Sequence, residues 1–155
     1  MSDDVVSVER VIPAPPEKIF ELLVYPDKHQ LIDGSGSVRD AKGDNASERL
    51  KLGSKFGMKM KMGLPYSMSS TVVEFEEGRR IAWQTWPPFG PKLAGGRIWR
   101  YVLEPVDGGT KVTESWDVTE EKLTKPVVKL GGAAEKTRKN MAQTLENIEK
   151  LVANE

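Results

Sequence analysis

Cysteine is absent from the 155 residues of the chain. This absence excludes disulfide bonds, thiolate nucleophiles and metal sites built on sulfur. It also fits a reducing compartment, so we expect a cytoplasmic protein. Histidine is almost as scarce, because His29 is the only one. Its spacing from Asp27 and Asp33 is not typical of a metal site, so we predict neither a metal ion nor a cofactor and expect His29 to be solvent-facing or partly packed in a short helix.

An excess of either charge is also missing, since 23 Lys and Arg residues balance 23 Asp and Glu residues. Without a net positive field, we expect no binding to nucleic acid. No apolar run approaches the roughly 20 residues that span a bilayer, and the N-terminus lacks the basic and apolar segments of a signal peptide. We therefore predict a soluble single domain over residues 1–155, a monomer or weak homodimer, with no stable membrane insertion.

The periodicity of apolar residues predicts one strand, two short helices, about six antiparallel strands and a long terminal helix. The expected strands cover residues 6–12, 38–41, 48–62 with an interruption at Gly53, 66–76, 81–85, 97–104 and 111–118. After Gly131 and Gly132, an apolar stripe at helical spacing continues to about residue 153. A sheet with an apolar concave face needs a cover, and the terminal helix supplies it. The fold class is therefore α+β.

Residues 54–63 alternate between apolar side chains and lysines. In an extended strand, Phe56, Met58, Met60 and Met62 share one face. Methionine has a poorer β-propensity than Val or Ile, but its flexible thioether re-packs against surfaces of different shape. The face is either ordinary core or an adaptable ligand surface.

Two hairpins predict which side chains face the sheet interior. The turn at Asp107, Gly108 and Gly109 places Leu103 opposite Val112. The same register pairs Tyr101 with Glu114 and Trp99 with Trp116. In the other hairpin, a three-residue loop pairs Phe75 with Ile81, Val73 with Trp83, Thr71 with Thr85 and Glu76 with Arg80.

Glu114 is the one acidic side chain on this predicted inner face. A buried carboxyl is costly unless it is paired or protonated. Strand twist could carry the carboxylate to solvent at the rim of the sheet. Alternatively, Glu114 is a polar anchor or an acid inside an aromatic pocket.

Two segments resemble a known superfamily. Residues 8–33, which include Ile-Pro-Ala-Pro-Pro-Glu-Lys-Ile-Phe and a second helix led by Pro26-Asp27, are similar to the opening of the START/Bet v 1-like (SRPBCC) superfamily. Residues 98–116 resemble the penultimate hairpin of its polyketide cyclase/dehydrase and lipid-transport branch. The resemblance implies a helix-grip fold, a curved sheet of about seven strands around the terminal helix with a cavity between them. It carries over no catalytic residue.

Members of the superfamily bind apolar molecules, so the resemblance implies a hydrophobic ligand, either lipid or polyketide-like. We predict that it contacts Phe56, Met58, Met60, Met62, Thr71, Val73, Phe75, Trp83, Trp99, Tyr101, Glu114, Trp116, Met141 and Leu145. The Pro- and Gly-rich segment 86–96 is either a lid or a rigid connection.

Three functions remain open. The protein is a non-catalytic carrier or sensor, a polyketide cyclase or dehydratase in which Glu114 and Tyr101 move protons, or a partner-binding protein without a ligand. With Glu114 as the only placed acid and no evident second group, the sequence favours the carrier.

Overall fold

The structure is a computed structural model that describes residues 5–34, 38–42, 48–62, 64–86, 96–121 and 133–153. Seven strands form one antiparallel sheet in the order β1-β7-β6-β5-β4-β3-β2. The strands are β1 Val5–Ile12, β2 Val38–Lys42, β3 Lys55–Met62, β4 Leu64–Glu76, β5 Arg80–Trp86, β6 Arg97–Val106 and β7 Gly109–Asp117. The helices are α1 Pro16–Leu23, α2 His29–Ile32 and α3 Ala133–Ala153, with a 3-10 turn at Pro26–Lys28 before α2. This is the α+β helix-grip fold that the sequence predicted.

The long helix α3 covers one face of the sheet. Its apolar stripe is buried and consists of Met141, Leu145, Ile148 and Val152. The helix is amphipathic, so its opposite side carries charged residues such as Glu135 and Lys139 to solvent. The two predicted residues of the helix, Met141 and Leu145, are therefore on the side that packs toward the sheet.

Helix α1 begins with Pro16, where a missing backbone N–H costs nothing. Its residues Ile19, Phe20 and Leu23 are buried. The ring of Phe20 meets Phe75 of β4 edge to face, with centroids 5.7 Å apart. This contact joins the helical layer to the sheet.

The end of α2 is fixed against α3. The backbone N–H of Gly34 donates to Thr144 Oγ1 at 2.8 Å, and Asn147 Nδ2 donates to the carbonyl of Ile32 at 3.1 Å. A Cβ atom at position 34 would collide with the backbone oxygen of Asn140. Glycine therefore allows the close approach that holds Asp33 next to the helix.

The first part of one predicted strand is wrong. Residues 48–52 form no strand, because the N–H of Leu50 donates to the carbonyl of Val24 at 2.7 Å instead of to a neighbouring strand. Gly53 then takes a φ of 85°, which an L-residue rarely adopts. Strand β3 begins only at Lys55.

Candidate functional site

The candidate site lies on the inner face of strands β6 and β7. Tyr101 pairs with Glu114, and Trp99 pairs with Trp116, as the sequence predicted. Tyr101, Glu114 and Trp116 are buried, while Trp99 is partly buried. Gly108, with a φ of 89°, supports the tight turn that sets this register.

The Glu114 side chain is in the interior and not at a solvated rim, since the residue is only 3% exposed. Burial raises the pKa of its carboxyl to about 8, and the negative charge of Asp33 adds to the rise. Hydrogen bonding with the Tyr101 hydroxyl opposes part of it. Glu114 is therefore mainly protonated at neutral pH and can donate a hydrogen bond.

Tyr101 is likewise neutral at neutral pH. Burial raises the pKa of its phenol well above the usual value, and the charges of Glu114 and Asp33 act in the same direction. Asp33 thus acts on both groups from the end of α2. The sequence reasoning missed this second carboxylate because the folding of α2 against α3, and not sequence distance, brings it near β7.

Two buried polar atoms on β7 have no hydrogen-bond partner among the described residues. They are Oε1 of Glu114 and Nε1 of Trp116. Trp116 is 2% exposed. Leaving such a group unpaired costs about 1–3 kcal/mol, and the large majority of buried side-chain polar atoms in proteins have a partner. The pair is therefore unusual enough to indicate a site.

His29 belongs to the interior as well, so the expectation of a solvent-facing or partly packed histidine is wrong. Its ring stacks on Trp83 and meets Phe56 edge to face, with centroids 4.8 and 5.5 Å apart. Its Nε2 lies 2.9 Å from the carbonyl of Leu23 and donates to it, since a carbonyl only accepts. Burial lowers the His29 pKa to about 4, partly opposed by that hydrogen bond. The imidazole is neutral.

The predicted register of β4 with β5 holds only near the turn. Phe75 pairs with Ile81 and Glu76 with Arg80, as predicted. A bulge then inserts Val73 as an extra residue, so that Val72 and not Val73 pairs with Trp83. The predicted pairing of Val73 with Trp83 is therefore wrong.

The bulge also shifts every residue before it in β4. Thr71 pairs with Gln84 and not with Thr85, which pairs with Ser70 instead. Val72 is 1% exposed, whereas Val73 is 37% exposed. The hydroxyls of Ser70 and Thr85 are buried and 2.8 Å apart. Ser70 and Val72 thus take the interior positions that the sequence assigned to Thr71 and Val73.

The methionines of β3 lie outside the residues whose side chains are described. The backbone pairs Met58 with Met68 and Met60 with Tyr66, while Phe56, at the start of the strand, is buried. A role of Met58, Met60 and Met62 in binding stays a prediction. Residues 87–95, most of the segment expected to be either a lid or a rigid connection, are outside the described residues too.

The comparisons with known proteins decide the family. A sequence profile described as "Polyketide cyclase / dehydrase and lipid transport" matches residues 4–153. The chain belongs to this family. The match covers almost the whole chain and confirms the resemblance that the sequence motifs carried.

The relatives of this family member add little about its chemistry. An uncharacterized protein of Mycobacterium tuberculosis, Rv0088, is 33% identical over 108 residues, which are 68% of this chain and 44% of the relative. The chain thus spans less than half the length of the curated relatives that it matches.

Solved structures agree on the fold. Protein CV1439 of Chromobacterium violaceum has a TM-score of 0.71 at 16% identity, with 96% of this chain and 97% of the other covered. DynU16, a protein from the dynemicin biosynthetic locus, has a TM-score of 0.68 at 14% identity, with 98% and 48% covered. At such low identities the likeness shows the fold alone.

Family and fold together support a ligand-binding or polyketide-cyclase role. No helix in the described part of the chain is long and apolar enough to cross a bilayer. Within the same residues, no three His, Cys, Asp or Glu side chains come together as a metal site.

Proposed function

We propose that this protein binds an apolar small molecule, lipid or polyketide-like, between the inner face of the sheet and α3. The observation that carries the proposal is the protonated Glu114 within an aromatic surface, with Oε1 lacking a partner in the described residues. A position that served only the core would favour an apolar side chain, because burying an unpaired polar group costs free energy.

The surroundings of Glu114 fit such a ligand. Small-molecule sites are lined mainly by aromatic and aliphatic side chains with a few polar groups that fix orientation. Trp83, Trp99, Tyr101 and Trp116 supply aromatic area around Glu114. The family description includes lipid transport, which agrees with a non-catalytic carrier.

Native mass spectrometry of freshly purified protein tests this proposal. We expect folded charge states that carry an additional mass, which disappears on denaturation and is recovered as an apolar compound in an organic extract. The control is the same protein delipidated by organic extraction and refolded, which should take up the extracted compound again. Protein that shows only the chain mass and takes up no apolar compound would contradict the proposal.

A second candidate function is a polyketide cyclase or dehydratase, and the raised pKa of Glu114 favours it. A carboxylic acid with a pKa of about 8 is a suitable general acid at neutral pH. In the dehydration of a β-hydroxy ketone, Glu114 would give its proton to the hydroxyl, which leaves as water. Its carboxylate would then accept the α-proton, and an enone would form. The Tyr101 hydroxyl would orient the carboxyl.

An absorbance assay separates the two candidates. The probe is 4-hydroxy-4-(2-naphthyl)butan-2-one, whose dehydration gives a conjugated enone. A dehydratase predicts enone formation that falls by at least about 100-fold in Glu114→Gln, the usual size of a general-acid contribution. Unchanged turnover in this variant excludes Glu114 as the proton donor. Binding of the probe without turnover favours the carrier.

A further inference from the structure

Glu114 and Trp116 are two residues apart on β7, so their side chains leave the same face of the strand with Cα atoms about 7 Å apart. Both side chains are buried, and each has one polar atom without a partner in the described part of the chain. These atoms are Glu114 Oε1 and Trp116 Nε1. Neither atom belongs to the network of ion pairs on the other face of the sheet, where Arg100 contacts Glu74 and Asp117.

We infer that Glu114 Oε1 and Trp116 Nε1 form a pair of hydrogen-bond donors for a neutral apolar ligand whose edge toward β7 carries acceptor oxygens, as in a ketone or an ester. This inference rests on the proposed function, because the ligand has to enter the space between the sheet and α3. The inference adds to the proposed function the chemical class of the ligand and the two protein atoms that donate hydrogen bonds to it.

The indole of Trp116 determines whether the ligand atom next to it is a hydrogen-bond donor or an acceptor. An indole N–H donates and cannot accept, so the ligand atom opposite Trp116 has to be an acceptor. An alkylammonium ion has donors only and would leave Trp116 unsatisfied. The protonated carboxyl of Glu114 supplies a second donor on the same face of β7.

The charges nearby argue against an anionic ligand. Asp33 acts on Glu114 as a negative charge, and it would repel a carboxylate in the same way. Trp116 also packs in one hydrophobic cluster with Val6, Val118 and Met141, so apolar surface adjoins its N–H. A neutral oxygen in an otherwise apolar molecule satisfies both donors without adding charge.

Four naphthalenes of similar shape form the probe set. They are 2-acetylnaphthalene, 2-isopropylnaphthalene, 1-(2-naphthyl)ethylamine and 2-naphthoate, which carry a ketone, no polar group, an ammonium and a carboxylate. Binding of each to the delipidated protein at pH 6.5 is measured by quenching of tryptophan fluorescence and checked by calorimetry. We expect the ketone to bind at least about tenfold more tightly than the hydrocarbon, the worth of roughly one net hydrogen bond, and more tightly than either ion.

Three variants assign the preference to the two atoms. Trp116→Phe removes the indole N–H, and Glu114→Met removes the carboxyl donor at similar side-chain length. Each should lower the ratio of ketone to hydrocarbon affinity at least about threefold. Glu114→Gln keeps a donor and should retain the ratio. Trp99→Phe, the partner of Trp116 across the β6–β7 pair, is the matched control and should change both affinities alike. Circular dichroism confirms that each variant is folded.

The outcomes separate this inference from the proposed function. Equal binding of the ketone and the hydrocarbon overturns the inference and leaves the proposed function standing. Tightest binding of the amine or of the naphthoate also overturns the inference, because the site would then select a charged ligand. Failure of all four probes to bind, with no compound in the native mass spectrum, removes the proposed function and the inference together.

Discussion

The imidazole of His29 stacks on the indole of Trp83, with ring centroids 4.8 Å apart and ring planes inclined by 17°. The neutral imidazole is also held by its hydrogen bond to the carbonyl of Leu23. Protonation would place a charge in the interior, and burial therefore lowers the His29 pKa from 6.5 to about 4. Lowering the pH should therefore reduce the stability of the folded protein through His29.

Replacing His29 by Gln should remove that acid sensitivity. Between pH 6.5 and pH 4 the unfolded chain binds a proton that the folded protein does not, so the contribution of His29 to stability falls as the pH falls. The difference between a pKa of 6.5 in the unfolded chain and about 4 in the folded protein corresponds to on the order of 3 kcal/mol. In urea titrations, the free energy of unfolding of His29→Gln relative to the wild type should rise by that amount from pH 6.5 to pH 4. A difference that does not depend on pH would contradict the assignment.

Glu114 has the opposite effect on stability. Its pKa is raised in the folded state, so its favourable contribution is complete below pH 4.5 and is lost as the pH rises toward 8. Tyr101 and Asp33 are the titratable groups that act on it. Glu114→Gln should therefore gain stability relative to the wild type between pH 4.5 and 8, on the order of 5 kcal/mol by the same conversion.

Urea titrations at pH 5 and pH 8 check this expectation. The matched control is Glu76→Gln on the exposed side of β4, which shows the effect of the same exchange at a solvent-exposed position. If Glu114→Gln behaves like the control, Glu114 is not protonated in the folded state, and the acid role loses its basis.

The titrations of His29 and Glu114 oppose each other between about pH 4.5 and 6.5. In that window the folded protein lacks one proton at His29 and holds an additional one at Glu114. Their contributions to the pH dependence nearly cancel in the wild type. The single variants are therefore needed to reveal either one.

Arg97 of β6 forms an ion pair with the fully buried carboxylate of Glu121, with Nε and Oε1 2.7 Å apart. The Arg97 side chain is 32% exposed, whereas that of Glu121 is 0% exposed, so removal of Arg97 takes this cation away from a buried carboxylate. We expect Arg97→Met to lower the free energy of unfolding by about 3 kcal/mol, measured by urea titration. The double variant Arg97→Met/Glu121→Met should recover most of the loss. An additive double variant would show that the two side chains are not coupled.

The part of the site that could be predicted from the sequence is the part set by local turn chemistry. The turn at Asp107–Gly109 places Tyr101 opposite Glu114 and Trp99 opposite Trp116, and the structure agrees. The register of β4 could not be carried past Val73, since alternation alone does not reveal a bulge. Thr71 and Val73 were assigned to the wrong face for this reason.

The burial of His29 and the effect of Asp33 on Glu114 could not be predicted from the sequence, because both depend on tertiary structure. His29 is in a four-residue helix whose pattern is too short to show a buried face. The charge of Asp33 acts on Glu114, and Gly34 allows α2 to end against α3 beside it. The sequence favoured a carrier because Glu114 had no evident partner group. The nearby Asp33 and Tyr101 now make the acid–base alternative worth testing.

The proposed apolar ligand binds between the sheet and α3, beside Glu114. Six methionines in the chain offer a direct test through NMR of protein labelled with 13C at the methionine methyl groups and saturated with 2-acetylnaphthalene. We predict intermolecular NOEs from the naphthalene protons to Met141 and to at least one of Met58, Met60 and Met62. NOEs confined to Met1, or no NOE to any methionine, would contradict binding of the ligand between the sheet and α3.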